Sequence, residues 1–148
     1  TNIYFTHKYL WIMVPRGIRN NNPLNIRKGN NWKGERPKQT DKSFEEFETM
    51  EMGIRAGFKI LKNYITGYGG KTKPYDTIEK VVRRWAPPTE NSTERYIQFV
   101  ADDAGLHRYQ KIDFKNKSVM VRIVDAMIFV ECGQRVATDI ISSAYDLI

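Results

Sequence analysis

Glu131 is the residue of this chain best placed to do chemistry. It closes the run Val119 to Glu131, VMVRIVDAMIFVE, and is followed by Cys132 and Gly133. Apart from Arg122 and Asp125 the run is apolar on every side, the pattern of a helix buried in a core rather than laid on a surface. The last turn of a helix carries the negative pole of its dipole, so a carboxylate there is disfavoured. Burial and dipole both drive a carboxyl towards its protonated form. A carboxyl that keeps its proton near neutral pH can serve as a general acid, and glycosidic cleavage is the reaction best known for using one. The bland alternative is a helix-end residue in a salt bridge with Arg135 or another base.

Other carboxylates are candidates on weaker grounds. Glu90 follows Pro87-Pro88-Thr89 and precedes Asn91 at the start of an expected helix. Near a helix N-terminus its charge is stabilised, which suits an ion pair with Arg84 or Arg55 better than an acid. Glu51 opens the first long helix and has the same difficulty. Asp41 and Glu35 lie in a loop-rich region where a second carboxylate could face the acid across a cleft. As binding residues, Asn20, Asn21, Asn22 and Asn25 either build turns with their own backbone or hold the acetamido and hydroxyl groups of a sugar. Trp32, Tyr64, Tyr68, Trp85 and Tyr96 can stack on sugar rings. Trp32 sits in a loop and is the better platform, whereas Trp85 falls on an apolar helix face and reads as core. Cys132 reads as a small buried residue, because the histidines, His7 and His107, are far from it in sequence. No Cys/His cluster points to a metal, and no cofactor is expected.

The elements that must position these groups follow from pattern. Residues 15–48 lack helical periodicity and are rich in Asn, Gly, Lys and Pro, with short extended pieces expected at Leu24–Arg27 and Ser43–Phe47. From Glu51, Ile54, Phe58, Leu61 and Ile65 repeat as the stripe of an amphipathic helix that stops near Gly67. Asp76 with Glu79, and Asn91 with Glu94, form capping boxes for two further helices, the first ended by Pro87-Pro88 and the second by Gly105. Ser118 is the expected cap of the buried helix, and Gly133 its stop. A last helix is expected from Gln134 to Leu147. The expected class is α+β, mainly α: a small β-containing lobe followed by about five helices. Residues 1–12 read as a separate extension, with a natural start at Met13 and one domain over 13–148.

The 148 residues suffice for one domain with a real core, and 41% hydrophobic content excludes a disordered chain. A net charge of +7 suits an anionic partner: nucleic acid, an acidic membrane surface or an acidic wall polymer. The cluster Arg27-Lys28, Lys33, Arg36 and Lys38 is too sparse for a nucleic-acid arm, so nucleic acid is not expected as a partner. The apolar segment Tyr9 to Val14 is too short to span a membrane and makes a poor signal peptide. A single cysteine excludes an internal disulfide.

Two blocks carry a family resemblance: Arg16-Gly17-Ile18-Arg19-Asn20-Asn21-Asn22-Pro23-Leu24-Asn25-Ile26-Arg27 with Trp32-Lys33-Gly34, and Arg84-Trp85-Ala86-Pro87-Pro88-Thr89-Glu90-Asn91-Ser92-Thr93 with Tyr96. Together with residues 44–56 they resemble a group of phage and prophage virion-associated proteins that look like members of the lysozyme-like superfamily. Asn-Pro-Leu-Asn-Ile-Arg, Trp-Lys-Gly and Phe-Glu-Glu-Phe-Glu also resemble, more loosely, the β-lobe of bacterial N-acetylglucosaminidases. In those enzymes a helix ending in Glu-Ser-Gly precedes the lobe and supplies the acid. Residues 1–15 here hold no Asp or Glu. Glu131-Cys132-Gly133 resembles the missing element, moved to the C-terminal side, which implies a lysozyme-like domain in circularly permuted order.

The resemblance implies cleavage of peptidoglycan glycan strands, as a muramidase, glucosaminidase or lytic transglycosylase, with Glu131 ahead of Glu90 and Glu51 as acid. The implied substrate contacts are Asn20, Asn21, Asn22, Asn25, Trp32, Arg84 and Tyr96. The implied setting is the bacterial cell-wall compartment, reached from a phage particle or a secretion apparatus. The rival implication is a non-catalytic virion or wall-binding module that keeps the fold without the acid. The permuted order requires the Glu131 carboxyl to lie against the Asn20–Asn25 turn.

Overall fold

The apolar stripes dictate a helical core. The computed structural model describes residues 14–88 and 92–148. The reading of residues 1–12 as an extension with a start at Met13 falls outside the described residues, as do Glu90 and Asn91. Among the described residues there are six helices: α1 (Arg16–Arg19), α2 (Met50–Gly70), α3 (Ile78–Trp85), α4 (Thr93–Ala104), α5 (Lys117–Cys132) and α6 (Thr138–Asp146). The protein is mainly helical.

α5 is the centre of the molecule. Met120, Val121, Ile123, Val124, Ala126, Met127 and Ile128 are all buried, and the helix packs on α4, α6 and α1. Apart from Ala126, each such side chain contributes about 1.5–3 kcal/mol when removed from water. The α2 stripe Ile54, Phe58, Leu61 and Ile65 is buried as its spacing requires. The same helix carries Gly53 and Gly57 one turn apart, and these admit the Asn-Pro-Leu turn: a Cβ on Gly53 would meet the Asn21 carbonyl, and one on Gly57 the Leu24 side chain.

Several caps differ from the sequence expectation. Thr77, not Asp76, caps α3, accepting from Lys80 N at 3.2 Å. Asp76 instead faces Lys80 and Lys111. Asn116, not Ser118, caps α5 through Val119 N. The helix expected from Asn91 has Ser92 as its N-cap, and Arg108 and Arg83 hold the Glu94 carboxylate. α6 starts at Thr138 rather than Gln134, since Arg135 is pinned back to Asp103 and Asp125. α1 has no counterpart in the sequence reading; four residues are too few to show a periodicity.

The N-terminal lobe is less regular than expected, with isolated bridges in place of strands among the described residues. The segment around residues 43–48 is flanked on both sides, through antiparallel bridges Arg27↔Phe44 and Glu35↔Phe47. Lys28 N donates to Ser43 O and Glu45 N to Ile26 O, each at 3.0 Å. Much of the lobe is held by side chains instead. Asn22 is fully buried, donating from Nδ2 to Ile26 O and Glu45 O while its Oδ1 accepts from Ile26 N.

Candidate active site

The lobe and the helices face each other across a cleft of about 640 Å³. The lobe contributes Asn25, Arg27, Asn30 and Phe44; α2 contributes Ile60 and Tyr64; the end of α3 contributes Trp85; and α5 contributes Glu131. Glu131 reaches this position because α5 runs through the core and stops there. Gly133 ends the helix in the left-handed region, φ 69°, with its N–H on the Phe129 carbonyl.

Three donors from three segments meet the Glu131 carboxyl. Tyr96 Oη donates to Oε2 at 2.9 Å, and Asn25 Nδ2 donates to Oε1 at 3.2 Å. The same Asn25 amide lies 3.3 Å from the Glu131 main-chain carbonyl, so it also ties the lobe to the helix end. The Trp85 indole N–H reaches the carboxylate as well. Burial raises the Glu131 pKa above the ordinary carboxylate value, and it outweighs these hydrogen bonds, which favour the charged form. The salt bridge that would have made Glu131 a plain helix-end residue is not formed: Arg135 is committed to Asp103 and Asp125. The last turn of α5 contains no basic residue.

Asn25 is held under strain. Its φ is 52°, the left-handed region that asparagine tolerates better than most residues. Gly17 in α1 makes room for it: a Cβ there would come within 2.8 Å of both Asn25 Oδ1 and Cys132 Sγ. Cys132 donates its thiol to the Pro23 carbonyl. Burial and then the neighbouring Glu131 push its pKa up to about 11, so it is not a nucleophile.

The remaining expected site residues divide sharply. Asn20, Asn21 and Asn22 do not offer their amides to a ligand. Asn20 donates to Asp41, Asn21 to the carbonyls of Phe47 and Glu48, and Asn22 is enclosed as described. Tyr96 is buried and touches Glu131, so its place is behind the acid rather than against a substrate. Trp32 packs against the core and is not on the cleft wall. Arg84 lies over the Tyr64 ring, 4.8 Å from its centroid, at the edge of the cleft. Glu51 lies in the first turn of α2, off the cleft wall. Asp41 is locked by two 2.6 Å hydrogen bonds from Arg16, which hold its carboxyl far below the usual range. Glu35 accepts from Trp32 N. Among the described cleft-lining residues Glu131 is the sole carboxylate.

Two features escaped the sequence reading. Trp85 has the spacing of a core residue, yet it is half-buried on the cleft wall beside the acid. Glu45 is buried against Glu35, and burial first, then its neighbour, push it up to about 7. The alternation Phe44, Glu45, Glu46, Phe47 carries no sign of this, because both glutamates of an exposed hairpin would look the same. Among the described residues there is no cluster of His, Cys, Asp and Glu able to hold a metal, and no helix long and apolar enough to cross a membrane.

No family model matches the chain. It is 45% identical over 122 residues to Protein P5 of Pseudoalteromonas phage PM2, an alignment that covers 80% of this chain and 71% of that protein.

Proposed function

The chain belongs to the family of Protein P5 of phage PM2, and from the geometry of its cleft we propose that this phage-associated protein is an enzyme that cleaves the glycan strands of peptidoglycan. The observation that carries this reading is the Glu131 carboxyl: raised in pKa by burial, in no salt bridge among the described residues, and held in a cleft by Asn25, Tyr96 and Trp85. The resemblance of Glu131-Cys132-Gly133 to a displaced acid element, and of residues 16–34 to the lobe that faces it, supports a lysozyme-like fold in permuted order.

In the proposed reaction Glu131 gives its proton to the glycosidic oxygen as the C1–O bond breaks, and positive charge develops on the sugar ring. A retaining or inverting hydrolase of the usual kind needs a second carboxylate for that charge or for water. Among the described residues the cleft wall offers Glu131 alone. The reading therefore favours a route in which the substrate supplies the nucleophile, either its own acetamido oxygen or its 6-hydroxyl. In the second case the resulting carboxylate of Glu131 takes the hydroxyl proton, C1 closes on O6 and the acid is restored. Arg27, stacked over the Phe44 ring, and Asn30 line the cleft on the lobe side, where they would meet the anionic and acetamido groups of the strand.

The test is digestion of purified sacculi by the parent chain and by Glu131→Gln, with released fragments identified by mass. Loss of a general acid costs about 10²–10⁴-fold in rate. Equal digestion by both proteins refutes the assignment of Glu131. No digestion by the parent, with binding retained, leaves a wall-binding or virion module in its place.

A further inference from the structure

The wall of the cleft does not end at Tyr64. Two more tyrosines gather against it: the ring of Tyr68 is 6.4 Å and that of Tyr75 6.2 Å from the Tyr64 ring, both edge-on. Arg84 covers Tyr64 itself, but Tyr68 and Tyr75 are 42% and 37% exposed, among the most exposed large apolar side chains of the protein. Exposure of two aromatic rings that both pack on Tyr64 is not explained by the core.

The backbone holds them there at a cost. Tyr68 has φ 54° and ψ 49°, between Gly67 and Gly69 in the same left-handed region. A bulky residue rarely adopts that conformation, and where it persists the surroundings enforce it. The chain then folds straight back. Thr72 N donates to the Gly67 carbonyl at 2.9 Å, and Tyr75 N to the Tyr64 carbonyl at 2.8 Å. Gly67 permits the return, since a Cβ there would strike the Thr72 carbonyl. Between the two exposed rings the loop carries Lys71 and Lys73, both exposed.

We propose that Tyr68 and Tyr75 form a stacking platform for pyranose rings of an anionic glycan strand, beyond the bond that Glu131 cleaves. Faces of sugar rings pack on aromatic rings, and Lys71 and Lys73 meet the carboxylates that such a strand carries. The proposal rests on the glycan-cleaving reading of the cleft and extends its reach along the polymer.

The test uses the full chain carrying Glu131→Gln, so that binding to purified sacculi is measured by co-sedimentation without cleavage. Adding Tyr68→Ala and Tyr75→Ala is expected to raise Kd by about 2- to 10-fold for each ring lost. Adding Tyr68→Phe and Tyr75→Phe, which keep the rings, is expected to leave Kd within about twofold of the Glu131→Gln protein. Equal affinity of the alanine and parent forms overturns the platform, and so does a loss by the phenylalanine forms as large as that by alanine. Absence of any sedimentation with sacculi by the Glu131→Gln protein overturns the platform together with the reading beneath it. Binding that depends on the rings, in a chain whose parent digests nothing, overturns the cleavage reading and leaves the platform standing.

Discussion

Glu131→Gln is expected to move activity and stability in opposite directions. The carboxyl gives up hydration, and three hydrogen bonds return only part of what is lost, so its folded pKa lies above its unfolded one. A raised acid pKa means that the folded state binds the proton more tightly. Its contribution to stability is full below the unfolded value, near 4.3 for glutamate, and is lost as pH rises through the folded pKa. Glutamine has the shape of the protonated acid and can keep the Asn25 and Tyr96 contacts, with the tyrosine hydroxyl turned to accept. The neutral variant carries no charge to desolvate, so it is expected to gain stability over the parent at alkaline pH. For a chain of 148 residues each kcal/mol so gained raises Tm by roughly 3 °C. The assay is thermal unfolding of parent and variant at about pH 4 and about pH 8, the gap opening only at the higher pH. A variant that is less stable at both, or whose deficit grows with pH, would show that the Glu131 charge supports the fold, and the acid assignment would fall.

Four other perturbations follow from the same geometry. Tyr96→Phe removes a donor that favours the Glu131 carboxylate, so the alkaline limb of the pH–rate profile moves to higher pH; a shift to lower pH contradicts the arrangement. Gly17→Ala would force a methyl within 2.8 Å of Asn25 Oδ1 and Cys132 Sγ, and is expected to cost about 1–3 kcal/mol of stability and most of the lytic activity. Gly53→Ala improves helix propensity by about 1 kcal/mol, yet it is expected to lower Tm because its methyl meets the Asn21 carbonyl; a rise in Tm would mean that the turn lifts freely from α2. Asp41 is depressed by Arg16 first, so its contribution is present above the unfolded value near 3.9 and shrinks as pH falls below it; the Tm difference between parent and Asp41→Asn is expected to close in acid.

The helical half of the molecule was legible because burial writes a period into sequence. Ile54, Phe58, Leu61 and Ile65 are separated by single turns and all face inward, and the unbroken apolar face of α5 announced its central place. Caps were harder. Asp76 and Thr77 are adjacent and both able to accept, and the choice fell to Thr77 because Lys80 and Lys111 attract the aspartate. The lobe was legible only in outline, since asparagine side chains substitute for ladder bonds and no alternation marks them. The Asn-rich turn shows the limit most clearly. Four similar amides stand within six residues, and only contacts across 26, 23 and 106 positions decide that Asn21 and Asn22 build the turn while Asn25 meets the acid. Trp85 shows a related limit: it packs against the core as its apolar spacing implies, but that spacing reports that a side chain leaves water, not which wall of a cleft it also forms.

The three donors on Glu131 come from parts of the chain that share no local constraint: Asn25 from the lobe, Trp85 from the end of α3 and Tyr96 from α4. The proton affinity of the acid is therefore a measure of how closely those parts are docked. Moving the lobe away removes the Asn25 bond but also admits water, and the two changes act on the pKa with opposite sign. Docking of the lobe excludes the water and holds Asn25 in its strained conformation, with Gly17 and Cys132 packed behind it. In the proposed reading the raised proton affinity of Glu131 thus arises where two parts of the chain meet, Asn25 and Glu131 being 106 residues apart. On the proposed reading, an acid helix can therefore stand at either end of the sequence, because the chemistry would require the contact and not the chain order.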